Sequence, residues 1–539
     1  MIESIVIITS SGSQKVEFDT NHHSKCAIDL NLLNLSDYKS FDIKITFSEP
    51  IAKFRDHDYT WQKCKKNYIA NPFSPKIVKL QNAQIVQSNI TSGIWEIDYK
   101  NPTVLLWRFN PEFSSPLTSY LGNENRKSIV LAEQKLNFIA NPTLLFPKNE
   151  AIEISRSKKP FVAIACFTDH CDFDTAENLV LQRIFFKEHQ IKITKGFFLN
   201  HFSKREDNAS FQNQQEELLQ WNNDGHELCY HSLSQSIKSN EDSFADFEQF
   251  VPPLNDIKVW IDHGFQPYNF SLLKNSDISE KKFEGILQDK NIHTLWNYID
   301  SGTATNGVIN QFNTQHFTLS NFLKGNKNLG FIKKMQLIIK NIIFHYYNEE
   351  DLILKYKYSA SRFKKVFFQR DLKSFFPFIK DVSKLGSSIF SVLLFWNKKK
   401  NIPYKLAKYS PIVFKHTITD KEFYIFQTLE MLDFKKSLSH ENINALTNEK
   451  GVFIAHTYFS VPMKYHTGKL FSTPTTIDKK VAENFKYLGN KIVNNEIWNP
   501  TLIELIEYWA RFEKVFFDID FEGNIFERNN SGLIFRKFS

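Results

Sequence analysis

From residue 161 onward, strand-like and helix-like stretches alternate, and this restricts the folds open to the chain more than any other feature. Phe161–Phe167 is a continuous apolar run. Ala176–His189 has helical spacing, with Leu179, Ile184 and Phe185 on one side. Gly196–Leu199 is the next strand, and Glu216–Trp221 ends a helix whose Gly225 opens a turn. Val259-Trp260-Ile261 and Thr294-Leu295-Trp296-Asn297-Tyr298 continue the series. Such alternation predicts parallel strands with helices packed outside them.

Polar groups collect where these strands end. The first closes in Thr168-Asp169-His170-Cys171-Asp172. Gly225-His226-Glu227-Leu228-Cys229-Tyr230-His231-Ser232 follows about 55 residues later. Asp262-His263-Gly264 closes the Val259 strand, and Gly451–Ala455 runs into His456. Carboxylate and imidazole both ligate a borderline divalent ion, zinc above all. In parallel α/β sheets, such groups gather at the C-terminal ends of the strands. Asp169, His170 and His231 are the expected ligands.

At these residues the chain resembles the polysaccharide deacetylase family, also called carbohydrate esterase family 4. The family's first motif is a strand closing in Thr-Phe-Asp-Asp, matched here by Val162–Phe167 and then Thr168-Asp169. Its next strand reads roughly Ala-Thr-Phe-Phe, matched by Ile193–Leu199. Its second motif, Gly-His-Glu-Leu-x-x-His-Ser/Thr-x-x-His, is matched from Gly225 to Gln235. Its last motif, a strand ending in His, is similar to Gly451–His456. The likeness spans 155–310 and 411–475.

The resemblance implies an α/β fold: a distorted, incomplete (β/α) barrel of the polysaccharide deacetylase type, to which the residues themselves add an N-terminal β-rich domain and a helical basic insertion. It also implies metal-dependent removal of an N- or O-acetyl group from a saccharide, such as a lipid-linked or surface polysaccharide precursor. Two positions depart from the family. Thr168 falls on its catalytic base, and Gln235 replaces its second metal His. A slip of one residue would instead make Asp169 the base and His170 the ligand. Asp172 and Asp262 are the carboxylates that could replace the base, and Asp172 is the preferred one. His456 is the expected proton donor. His263, Tyr268 and Trp296 are the expected substrate contacts, with Asp300 beside Trp296. The departures keep a second reading open: an inactive relative that binds a glycan or a partner.

The 539 residues are expected to divide into a β-rich part (1–155), a first barrel part (156–310), a helical insertion (311–410), a last barrel part (411–475) and C-terminal helices with a hairpin (476–539). Five cysteines without regular spacing do not make a disulfide framework. The Met1-Ile2-Glu3-Ser4 start lacks the basic region of a signal peptide. No run reaches the roughly 18 apolar residues of a membrane span. The expected location is cytoplasmic, peripheral to the inner face of a membrane if the insertion meets lipid.

Charge singles that insertion out. Residues 321–410 hold 19 Lys and Arg against 5 Asp and Glu, whereas the whole chain is only +8. Bulky apolar clusters interleave with the lysines, as in Arg362-Phe363-Lys364-Lys365-Val366-Phe367-Phe368. Three readings stand: a solvated basic face, an amphipathic patch for anionic lipid, and a nucleic-acid surface. No known nucleic-acid motif accompanies the charge.

Overall fold

A computed structural model describes residues 2–18, 24–31, 33–121, 126–275, 278–297, 309–327, 329–347, 349–461 and 469–539. Asp300 and Tyr298 lie outside the described residues.

The N-terminal part is built from antiparallel strands. In Phe41–Phe47, Phe41, Ile43, Ile45 and Phe47 are buried and the residues between them are not. That period of two gives each sheet one apolar face. Two six-stranded sheets result, one centred on Phe41–Phe47 and Val104–Phe109, the other on Ile77–Leu80 and Ile85–Ser88. Their apolar faces meet in one core that includes Ile43, Trp95 and Trp107 from one sheet and Phe54, Val78 and Leu144 from the other.

A ten-stranded sheet follows. Its order runs Val413–Ile418, Lys421–Phe426, Thr294–Trp296, Val259–Ile261, Glu227–His231, Thr194–Phe197, Ala163–Asp169, Val452–Thr457, Leu429–Glu430, with Ile497–Trp498 beside Ala163–Asp169. Its neighbours are parallel, except for the antiparallel hairpin of Val413–Ile418 and Lys421–Phe426. Every residue of Ala163–Asp169 is buried, as in a strand covered on both faces. Helix Ala176–Glu188 covers it, started by a capping box in which Thr175 and Asn178 satisfy each other's backbone N–H.

The expected deacetylase-type α/β barrel is corrected here. The molecule is mixed α/β with a β-rich domain. Among the described residues its strands are spread over seven sheets, and the parallel one is a half-barrel with an antiparallel edge. The physical reason lies in how far the alternation reaches. It runs only from residue 161 to 297, and most strands elsewhere pair antiparallel, which period-two patterning favours. The C-terminal hairpin also differs from expectation. Phe517–Ile519 pairs with Ile525–Glu527, while Phe535–Phe538 crosses to Ala151–Ile154.

The described residues between 319 and 399 are mostly helical, the longest helices being Glu350–Phe368 and Phe375–Leu394. No helix among the described residues is long and apolar enough to cross a membrane. All five cysteines are free thiols.

One buried acid gives the fold a pH signature. Glu227 Oε2 accepts hydrogen bonds from Thr194 Oγ1 (2.7 Å), Leu502 N (2.9 Å) and Ile503 N (3.3 Å), while its Oε1 is buried without a partner. Burial outweighs those donors and pushes its carboxyl up to about 7. The native state therefore keeps a proton that the unfolded chain releases near 4.5. The stability this group contributes is complete below that value and is lost as pH rises through 7. Glu227→Gln should raise the midpoint of unfolding at pH 8, by on the order of 2 kcal/mol, and change it little at pH 5. Equal gains at both pH values in thermal unfolding would refute this.

Candidate metal centre

Strand direction decides which polar groups meet. Successive side chains of a strand point to opposite faces, so Asp169 faces away from Thr168 and His170. Thr168 pairs in register with His456, and the His170 backbone N–H continues the ladder to Thr457 O at 2.9 Å. His170 and His456 thus emerge on the same side, and their rings stack with centroids 3.7 Å apart. His231 ends the Glu227–His231 strand, and its ring lies edge-on to His170 at 4.6 Å. Gly196 lies on the strand between them. A Cβ there would overlap the Asp169 carbonyl, so the strands approach this closely only because residue 196 has none.

The loop after the first strand supplies a carboxylate. Asp172 Oδ2 is 3.0 Å from His231 Nε2, and its Oδ1 is 2.9 Å from His263 Nδ1. Ligand atoms of His170, Asp172 and His231 all lie within 4.8 Å of one another. His170 Nε2 and His231 Nδ1 are buried without a hydrogen-bond partner. Two imidazoles with one carboxylate form the donor set of a catalytic zinc site, and buried ring nitrogens without a protein partner fit such an ion.

Electrostatics suits that use. Burial lowers the His170 pKa, and the neighbouring His456 and His231 lower it further, so the ring is neutral and free to ligate. Burial likewise lowers His231, against the pull of Asp172. Burial opposes ionisation of Asp172, but His263 and His231 prevail and hold its carboxyl well below the usual range. His263 moves up, because Asp172 outweighs burial. Its second nitrogen, Nε2, is 2.8 Å from Gln235 O. An acceptor at each nitrogen favours the imidazolium form of His263. It therefore orients Asp172 from behind, as the outer partners of metal ligands do.

Other expected site residues have different roles. Asp169 is not in the cluster. Its carboxylate pairs with the fully buried Lys195, which also pairs with Asp174 and accepts no solvent contact. Two carboxylates share one ammonium, and burial with Asp174 nearby pushes the Asp169 carboxyl up to about 7. Thr168 donates its hydroxyl to Ala455 O at 2.7 Å. Gln235 donates to the Asp172 carbonyl and accepts from Ser203, bracing the loop rather than facing the cluster. Asp262 receives Ser271 N (2.9 Å), Ser271 Oγ (2.6 Å), Phe270 N (3.0 Å) and Trp260 Nε1 (3.2 Å), which leaves it no free oxygen to act as a base. Tyr268 is 1% exposed and stacks on Phe247 at 5.0 Å, so it belongs to the core and offers no face to a ligand. Trp296 walls the cluster, edge-on to His170 at 4.7 Å and to His456 at 5.1 Å. Tyr458, which sequence reasoning missed, adds a ring 4.9 Å from His456. Its signal was its place two residues beyond His456.

The cluster reaches solvent through Asp172 and His263, whose side chains are 14% and 15% exposed. A separate cavity of about 420 Å³, lined by Phe73, Arg108, Tyr409, Lys415 and Trp509 among others, includes none of the cluster residues.

No protein-family model matches the chain. No curated protein matches it either. Two solved structures show a faint likeness. The xylosidase from Aspergillus niger is 11% identical over 57% of this chain and 42% of its own, with a TM-score of 0.18. The Flavobacterium johnsoniae GH31 dextranase complexed with glucose is 7% identical over 54% and 40%, with a TM-score of 0.21. The chain thus spans about two fifths of the length of these structures, and likeness at this level assigns neither fold nor activity.

Proposed function

We propose that the chain is a metal-dependent hydrolase that removes an acetyl group from a saccharide, with His170, Asp172 and His231 holding a divalent ion, zinc by donor type. The observation that carries this reading is the convergence of those three side chains within 4.8 Å, with buried ring nitrogens that no protein group satisfies. The acetylated saccharide as substrate rests on the likeness of Gly225–Ser232 and Gly451–His456 to deacetylase motifs. A bound zinc ion supplies a water acidified towards neutral pH and polarises a carbonyl oxygen.

The remaining work falls to the chain. Asp172, kept ionised by His263 and His231, is the carboxylate of the site. His263 holds its orientation through Oδ1. Trp296 and Tyr458 close the sides of the cluster and limit its water. His456 stacks on His170, and its role in this reading is to give a proton to the departing oxygen or nitrogen of the sugar. General acid help of this kind is worth about 10²–10⁴-fold.

The test is acetate release from acetylated amino sugars and O-acetylated glycans by protein purified without a His tag. His456→Ala should lower kcat by about 10²–10⁴-fold and leave metal content unchanged. Zinc retained without acetate from any substrate in the panel would refute the hydrolase reading and favour a glycan-binding role.

A further inference from the structure

The helical segment presents an apolar face that the protein does not cover. Helices Glu350–Phe368 and Phe375–Leu394 form an antiparallel hairpin. Arg362 pairs with Asp381, Phe363 meets Phe378 at 5.9 Å, and Tyr347 Oη donates to Ser388 O at 2.9 Å. The second helix uses one stripe inward. Leu385 packs with Ile343, Leu352 and Ile353, and Val392 packs with Phe322 and Ile342. The other stripe points out. Phe376, Ile379 and Val382, and then Phe390 and Leu394 two turns further on, lie along one side of the helix and are 80, 48, 44, 64 and 63% exposed. From Phe376 to Leu394 this stripe is about 27 Å long. Phe368 and Leu372, 78 and 79% exposed, extend it around the hairpin turn. Isolated exposed apolar residues need no explanation, but a cluster of large ones along one helix side marks a contact surface.

The charge around that face identifies the occupant. Lys364, Lys365, Arg370, Lys373, Lys380 and Lys384, exposed on the same two helices and their turn, form no ion pair among the described residues. The acids nearby are already engaged. Asp371 accepts from Lys373 N and Ser374 Oγ, and Asp381 is paired with Arg362. Bulky aromatic and aliphatic side chains accompanied by unpaired lysines match the interface of an anionic bilayer. There the rings enter the acyl boundary, and the lysine stems reach the headgroups. A protein partner would have to supply both a flat apolar surface and a carboxylate for every base.

We propose that the outer face of this hairpin docks the protein on an anionic lipid bilayer, lying in the interface without spanning it. The reading stands independently of the metal centre.

Cosedimentation of the full chain with vesicles tests it, using phosphatidylcholine alone and phosphatidylcholine mixed with phosphatidylserine. Binding is expected to the mixed vesicles only, and to weaken with salt. Each basic residue near such a surface contributes roughly fivefold to partitioning. Lys364→Gln, Lys365→Gln and Lys373→Gln together should therefore reduce binding by about 100-fold. Leu372→Ser with Phe376→Ser should reduce it tenfold or more, and their exposure leaves the fold intact. Circular dichroism of both variants would confirm that. No binding to mixed vesicles at low salt, or binding that neither variant weakens, would overturn the proposal. So would light scattering that finds a dimer dissolved by Leu372→Ser with Phe376→Ser, since the face would then join two copies of the chain.

Discussion

Lys195→Met is expected to destabilise the protein by about 3–5 kcal/mol, which is a large part of a typical domain's stability. Lys195 lies inside the Thr194–Phe197 strand with no solvent exposure, and its ammonium pairs with both Asp169 and Asp174. It also donates to Gln182 Oε1 at 3.0 Å and sits over the Trp221 ring at 5.2 Å. Gln182 Nε2 in turn donates to Asp174 Oδ1 at 2.9 Å, and Ser460 Oγ donates to the same oxygen at 2.8 Å. The network thus ties the first two strands and helix Ala176–Glu188 to the loop after His456. Removing the ammonium leaves two buried carboxylates facing each other, a heavier penalty than losing the pair as a whole. Asp169→Asn added to Lys195→Met should therefore recover part of the loss. Urea unfolding of the three proteins measures it. An unchanged midpoint in Lys195→Met would mean that the pair is not buried in solution.

Lys195 also shows what the sequence did and did not make legible. The apolar run before Asp169, the His-rich turn and His456 at a strand end were all readable, and the structure brings His170, His231 and His456 together. Which acid joined them was not. Choosing Asp169 depended on aligning motifs, whereas the choice in the molecule depends on side-chain direction. Asp169 faces the side of the sheet that holds Lys195, and only the loop beyond the strand can turn Asp172 back towards His231. One signal was available. A lysine between Thr194 and Gly196 in an otherwise buried strand requires an anion, and Asp169 is the acid that ends the adjacent strand. Tyr268 was expected to contact substrate, but its ring fills the core against Phe247. The fold class was misjudged because alternation reports only on neighbouring segments. It could not reveal that the parallel strands end in an antiparallel hairpin.

Asp172→Ala is expected to remove zinc binding, with affinity falling well beyond 100-fold, since even outer partners of metal ligands are worth about 10–100-fold. Three substitutions should rank by their distance from the ion. Asp172→Ala deletes the proposed carboxylate ligand, the only acid that touches both His231 and His263 among the described residues. His263→Ala keeps the carboxylate but releases its Oδ1, so affinity should fall about 10–100-fold. Asp169→Asn changes a group that faces Lys195, on the other side of the strand, and should leave affinity within a few-fold of the parent. Competition with a chromogenic zinc chelator at pH 7 measures all three, and circular dichroism confirms that each protein is folded. His170→Ala and His231→Ala should behave as Asp172→Ala does, because each removes a neutral imidazole from the same set. Loss of zinc from Asp169→Asn with retention in Asp172→Ala would move the ligand role back to the strand end. The lysine pair at Asp169 would then have to open whenever the metal binds.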